Sequence, residues 1–131
     1  MTYDVLAPIP GVLETHYWPG ATQVPSLLLE IPHGATRTSD YDHLRRQLRG
    51  VLPDQLDHFF YVNTDIGAPE GAMWLGEALA AAGRSVLLVR CTIPRTFIDC
   101  NRVAHLRSTT GHVDAGITPA VATYIRDPDD N

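Results

Sequence analysis

Three short stretches carry most of the chemically capable side chains. Residues 95–102 read RTFIDCNR, which threads Arg95, Asp99, Asn101 and Arg102 through an otherwise apolar run. A charge taken out of water without a partner costs several kcal/mol, so packing alone does not explain this choice. Arginine suits bidentate recognition of a carboxylate, and a second arginine can polarise a carbonyl and hold the oxyanion that develops from it. The competing reading is a structural ion-pair cluster, in which Asp99 neutralises one arginine and leaves the other guanidinium uncompensated. Taken as a strand, the stretch points Arg95, Phe97 and Asp99 to one face and Ile98 to the other, and Asn101 and Arg102 diverge unless the chain turns into a loop there.

The second stretch is Pro32-His33-Gly34, directly after an apolar run. A histidine at a strand–loop junction is ordinarily just hydrogen-bonded or solvated. Two features favour a metal ligand: open α/β sheets gather ligands beyond the carboxyl ends of their strands, and Gly34 lets backbone come close to whatever His33 holds. A catalytic zinc takes three nitrogen or oxygen protein ligands and keeps a position for water. The third stretch, NTDIG at 63–67, offers Asp65 as a partner. Asp65 either faces a strand-end cleft or caps the helix opening near Ala68, and the residue types alone do not choose between these. Asp40 and Asp42 read as first-turn helix residues, His43 and His58 as solvated surface groups, and His105 and His112 stand in an irregular tail. No HExxH or comparable zinc motif is present.

The elements around these stretches suggest α/β architecture. Residues 26–31 (SLLLEI) and 85–90 (SVLLVR) are short apolar runs suited to buried strands. Between them, Ser39 reads as the N-cap of a helix with Tyr41, Leu44 and Leu48 on one face, ended by Gly50. Residues 59–62 (FFYV) are a strand or the end of a helix begun near Asp54. Residues 68–82 are rich in strong helix formers, with Pro69 in the first turn and Gly83 in the C′ position. A strand, helical material and a second strand predict a parallel pairing. Residues 1–25 form an irregular lead-in or an edge strand around residues 12–18.

Composition narrows the classes. The 131 residues and their 44% hydrophobic content suit one domain with a core of its own. Ten basic against fifteen acidic residues, without a Lys/Arg run, give no footprint for nucleic acid or an anionic membrane. Cys91 and Cys100, without a CxxC pairing, read as reduced thiols of a cytoplasmic protein, and neither a signal peptide nor a membrane span is expected.

Taken together, PHG after an apolar strand, NTDIG before a helix and RTFIDCNR after a strand and a proline resemble the N-formylglutamate amidohydrolase family, metal-dependent deformylases of histidine breakdown. The match spans residues 26–102, with GITPAVATYIRDP also similar. The resemblance implies a three-layer αβα fold with a mixed, mostly parallel sheet, phosphorylase/hydrolase-like and similar to zinc carboxypeptidases and aspartoacylases. It implies Zn2+ held by His33 and Asp65, Arg95 polarising the scissile carbonyl, and Asn101 with Arg102 gripping the carboxylate of a small-molecule substrate. The reaction implied is hydrolysis of N-formylglutamate to glutamate and formate. A carboxypeptidase-like peptide hydrolase and a non-catalytic anion-binding or assembly domain are the alternatives. The HxxE spacing of the carboxypeptidases is not met, since Thr36 stands three after His33. The further zinc-ligating His in a DxHS-like context and the catalytic Glu of such relatives are not found in this sequence. The expectation is therefore an N-terminal portion of a larger catalytic domain, inactive alone, whose site is completed by a C-terminal half or a second chain.

Overall fold

The two apolar runs become neighbouring parallel strands, as the pattern predicts. In the computed structural model, which describes residues 7–102 and 120–125, the order is β1 (Leu13–Trp18), β2 (Leu27–Ile31), α1 (Thr38–Arg45), α2 (Leu56–Val62), α3 (Ala68–Ala81) and β3 (Val86–Cys91). A short 3-10 turn, Thr123–Ile125, follows. Among the described residues this is a small α/β domain with a three-stranded mixed sheet and three α-helices.

The last of the three described strands is the middle one in space. β2 runs parallel to β3 from Leu27 opposite Val86 to Ile31 opposite Arg90. β1 lies antiparallel on the other side, with Leu13 opposite Cys91 and Trp18 opposite Val86. Flanked on both sides and packed against α3, β3 buries Val86 and Leu88. β2 departs from the fully buried strand expected of SLLLEI: Leu27, Leu29 and Ile31 turn inward, whereas Leu28 and Glu30 are exposed. At the edge of the sheet formed by the described residues, it keeps the two-residue alternation that a central parallel strand loses.

The helices obey local rules with shifted boundaries. α1 starts one residue before the predicted cap: Arg37, not Ser39, is the N-cap, and its backbone N–H donates to Asp40 Oδ2 at 3.2 Å. The Arg37 guanidinium also binds Asp40, so the ion pair displaces the serine from the capping role. The helix ends at Arg45, ahead of Gly50. FFYV belongs to α2 and is not a strand. α3 carries Pro69 in its first turn, and Gly83 follows its C-cap at φ +85°, the left-handed conformation glycine adopts without penalty.

A second apolar cluster lies apart from the sheet packing. Tyr41 of α1, Leu56 and Phe60 of α2 and Phe97 of the loop after β3 are buried together. The Tyr41 ring sits 5.0 Å from Phe60 and 5.3 Å from Phe97, within the range of favourable aromatic pairs. Phe97 thereby anchors the RTFIDCNR loop. His105 and His112 lie outside the described residues, as does most of the segment 116–128. No helix among the described residues is long and apolar enough to cross a membrane.

Candidate functional site

Parallel pairing sets where the site forms. β2 and β3 end on the same edge of the sheet, so His33, just past β2, and residues 92–102, just past β3, emerge side by side. α3 leads back into β3, which places its N-terminal end and the preceding turn at that edge too. Asp65 lies in this turn.

At the centre stands Asp99, a residue the sequence suggested only as a counter-charge for one arginine. Its Oδ1 faces His33 Nε2 at 2.7 Å and accepts the backbone N–H of Asn101 at 3.0 Å. Its Oδ2 pairs with Arg95 Nε at 3.2 Å and Arg102 Nε at 2.9 Å. One carboxylate thus takes four donors, the full number its lone pairs accommodate. Both arginines bind Asp99, so two guanidiniums share the single negative charge that the sequence assigned to one of them.

The loop geometry corrects a second expectation. Residues 95–102 do not form a strand. Phe97 and Ile98 both donate backbone N–H groups to the Pro94 carbonyl, at 2.9 and 3.1 Å, closing a helix-like turn. An extended strand would hold Arg95 and Asp99 about 13 Å apart along the chain. The turn brings them into contact and sends Phe97 into the apolar cluster instead of beside them. Asp99 N–H then donates to the Ala120 carbonyl at 2.8 Å, and Ala122 N–H to the Phe97 carbonyl at 3.0 Å, fixing the loop from outside.

Burial pushes the Asp99 carboxyl up. The His33 hydrogen bond, the Asn101 N–H and the charges of His33 and Arg95 outweigh it, and the group is held below the usual carboxylate range. With Asp99 saturated in this way, it orients its neighbours and is not available as a base or ligand.

His33 is gripped from both sides. Its Nδ1 meets Asp65 Oδ2 at 3.1 Å, opposite the Asp99 contact. The alternative open for Asp65 is resolved in geometry: α3 has no side-chain cap, its N-cap is Gly67, and the Asp65 carboxylate goes to His33. One imidazole nitrogen and one carboxylate oxygen directed at each other are a donor pair of the kind zinc accepts, a cation taking the place of the Nδ1 proton. Asp99 on Nε2 is then the carboxylate that fixes the tautomer. Among the described residues no group of three or more His, Cys, Asp or Glu side chains is arranged to hold a metal ion.

Packing alone already requires glycine at position 34. A Cβ there would stand 2.4 Å from Arg90 Cγ and 2.7 Å from the Cys91 carbonyl oxygen, so only glycine lets the His33 loop lie against β3. Arg90 clamps that loop, donating from Nε to the Gly34 carbonyl at 2.7 Å and from Nη2 to Thr36 Oγ1 at 3.2 Å. Glu14, Arg37 and Asp40 complete the network around it. The Arg37 charge is strengthened by its hydrogen bonds to Asp40 and Glu14. Sequence reasoning passed over Arg90, which reads as the polar end of an apolar strand.

The remaining predicted residues fall as follows. Asn101 contributes its backbone to Asp99, its side chain lies at the exposed surface, and Arg102 is exposed beside it. His43 and His58 are exposed, as expected. Comparison with protein-family models, with curated proteins and with solved structures finds no match in any of the three.

Proposed function

We propose that the chain carries the substrate-binding part of a zinc-dependent amidohydrolase site acting on an N-acylated acidic amino acid, with N-formylglutamate, hydrolysed to glutamate and formate, as the favoured substrate. The observation that carries this reading is the shared Asp99 carboxylate, which holds two guanidiniums next to the His33–Asp65 pair at the carboxyl edge of the parallel strands. Clefts at that edge are the usual ligand sites of open α/β sheets. The three-layer αβα arrangement of the deformylases belongs to the same proposal.

In this scheme His33, through Nδ1, and Asp65 hold the metal. Zinc in such a site acts as a Lewis acid and acidifies water. Arg95 bonds Asp99 through Nε, and its guanidinium stabilises the oxyanion that forms when water adds to the formyl carbonyl. Asn101 and Arg102 grip the substrate carboxylate and fix the orientation of the scissile bond. Collapse of the adduct breaks the C–N bond and the amine leaves with a proton. The third metal ligand and the general base belong to a C-terminal half or second chain.

Calorimetric titration of the chain in zinc-containing buffer tests the proposal. N-formylglutamate binds without turnover, Arg102→Ala weakens that binding roughly tenfold or more, a loss of about 1.4 kcal/mol, and N-formyl amino acid amides lacking the free carboxylate bind poorly. Equal affinity of wild type and Arg102→Ala would remove the carboxylate-gripping role. Tighter binding of short peptides would favour the carboxypeptidase-like reading instead.

A further inference from the structure

The same edge of the sheet brings two thiols together. Cys91 closes β3 and is half-buried; Cys100 lies in the turn between Asp99 and Asn101 and is exposed. Nine residues apart in the chain, they meet because the turn at Pro94 folds the loop back over the end of β3. Their sulfurs are 3.4 Å apart, one S–H directed at the other sulfur, and both cysteines are free. Neither takes part in the site chemistry proposed above.

The two thiols are not equivalent. The hydrogen bond with Cys100 lowers Cys91 to about 6 against the opposing effect of burial, and the Ile93 backbone and the His33 charge act in the same lowering direction. Cys100 is pushed up by the same partner and by burial. An attacking thiolate next to a thiol that keeps its proton is the arrangement that dithiol–disulfide exchange requires.

We propose that Cys91 and Cys100 form a redox-active dithiol that low-molecular-weight disulfides of the glutathione type oxidise to an intramolecular disulfide. The Cys91 thiolate attacks one sulfur of the small disulfide, forming a mixed disulfide and expelling one small thiolate. Cys100 then gives up its proton and attacks the Cys91 sulfur, expelling the second. The net change converts two protein thiols and one small disulfide into one protein disulfide and two small thiols. Reaching the bonded distance of about 2.05 Å requires the sulfurs to close by a little over 1 Å. Cys100 is the exposed member of the pair. The bond pins the residue next to Asp99 to the end of β3, so oxidation fixes the loop that carries Arg95 and Arg102.

The test uses the reduced full chain in chelator-containing buffer, titrated with glutathione disulfide and followed by intact mass and peptide mapping. Wild type loses two hydrogens and yields one peptide pair linking Cys91 to Cys100. Cys100→Ser traps a stable glutathione adduct on Cys91, and Cys91→Ser reacts at least about tenfold more slowly. Phenylarsine oxide, which needs two neighbouring thiols, binds one equivalent to wild type and none to either variant. Disulfide-linked dimers as the sole oxidised product, or stable mixed disulfides on both cysteines of wild type, would overturn the proposal.

Discussion

At the scale of single residues, Asp99 governs the site because it is shared. Arg95, Arg102, His33 and the Asn101 N–H all converge on it. Replacing it with asparagine keeps the shape but leaves two guanidiniums and an imidazole without their counter-charge. Asp99→Asn is expected to lose about 2–4 kcal/mol at pH 7, measured by urea unfolding. The pH dependence follows from a carboxyl held low in the folded state. Its contribution is complete above the unfolded value of about 3.9 and is lost as the pH falls through the lower folded value. The stability gap between wild type and Asp99→Asn should therefore narrow below about pH 4; a gap constant from pH 7 down to pH 2.5 would contradict the ion-pair account.

At the scale of elements, the His33 loop and the RTFIDCNR loop are held by different means. The first relies on glycine and Arg90: Gly34→Ala forces a Cβ into the Cys91 carbonyl and should cost roughly 1–3 kcal/mol in urea unfolding, whereas Ala35→Gly, with no such collision, should cost less. Much of this level was legible in the sequence. The parallel strands, the helix at 68–81 and the positions of His33 and Asp65 at one edge all follow from apolar runs, helix formers and crossover rules. The missing step was conformational. Alternation of residue type in RTFIDCNR imitates a strand, yet Arg95 and Arg102 stand four and three positions from Asp99, the spacing of helical neighbours, and Pro94 suits the start of a turn. That spacing was the available signal for Asp99. Arg90 left no comparable trace, because its partners Gly34 and Thr36 are distant in the chain and its role exists only once β2 and β3 are paired.

At the scale of the whole molecule, two packing units meet through one loop. α3 covers the sheet, while Tyr41, Leu56 and Phe60 make a separate cluster that Phe97 completes from the site loop. Phe97→Ala removes a fully buried ring, and a loss of about 3–5 kcal/mol is expected, a large part of the stability of a domain this size. Because Phe97 is two residues from Asp99, the same variant should also abolish substrate binding under conditions where it remains folded; retained wild-type affinity would show that the cluster does not position the loop. The strand order has a further consequence, in time as well as in space. β3 is the central strand and the last of the three to be made, so among the described residues β1 and β2 gain their ladder partner only when residues 86–91 have left the ribosome. The sheet forms by closing one long loop, a slow kind of pairing, and LLLEI must stay unpaired through synthesis of the three helices. For this chain the interval before β3 emerges is the period of greatest exposure to chaperones and to aggregation.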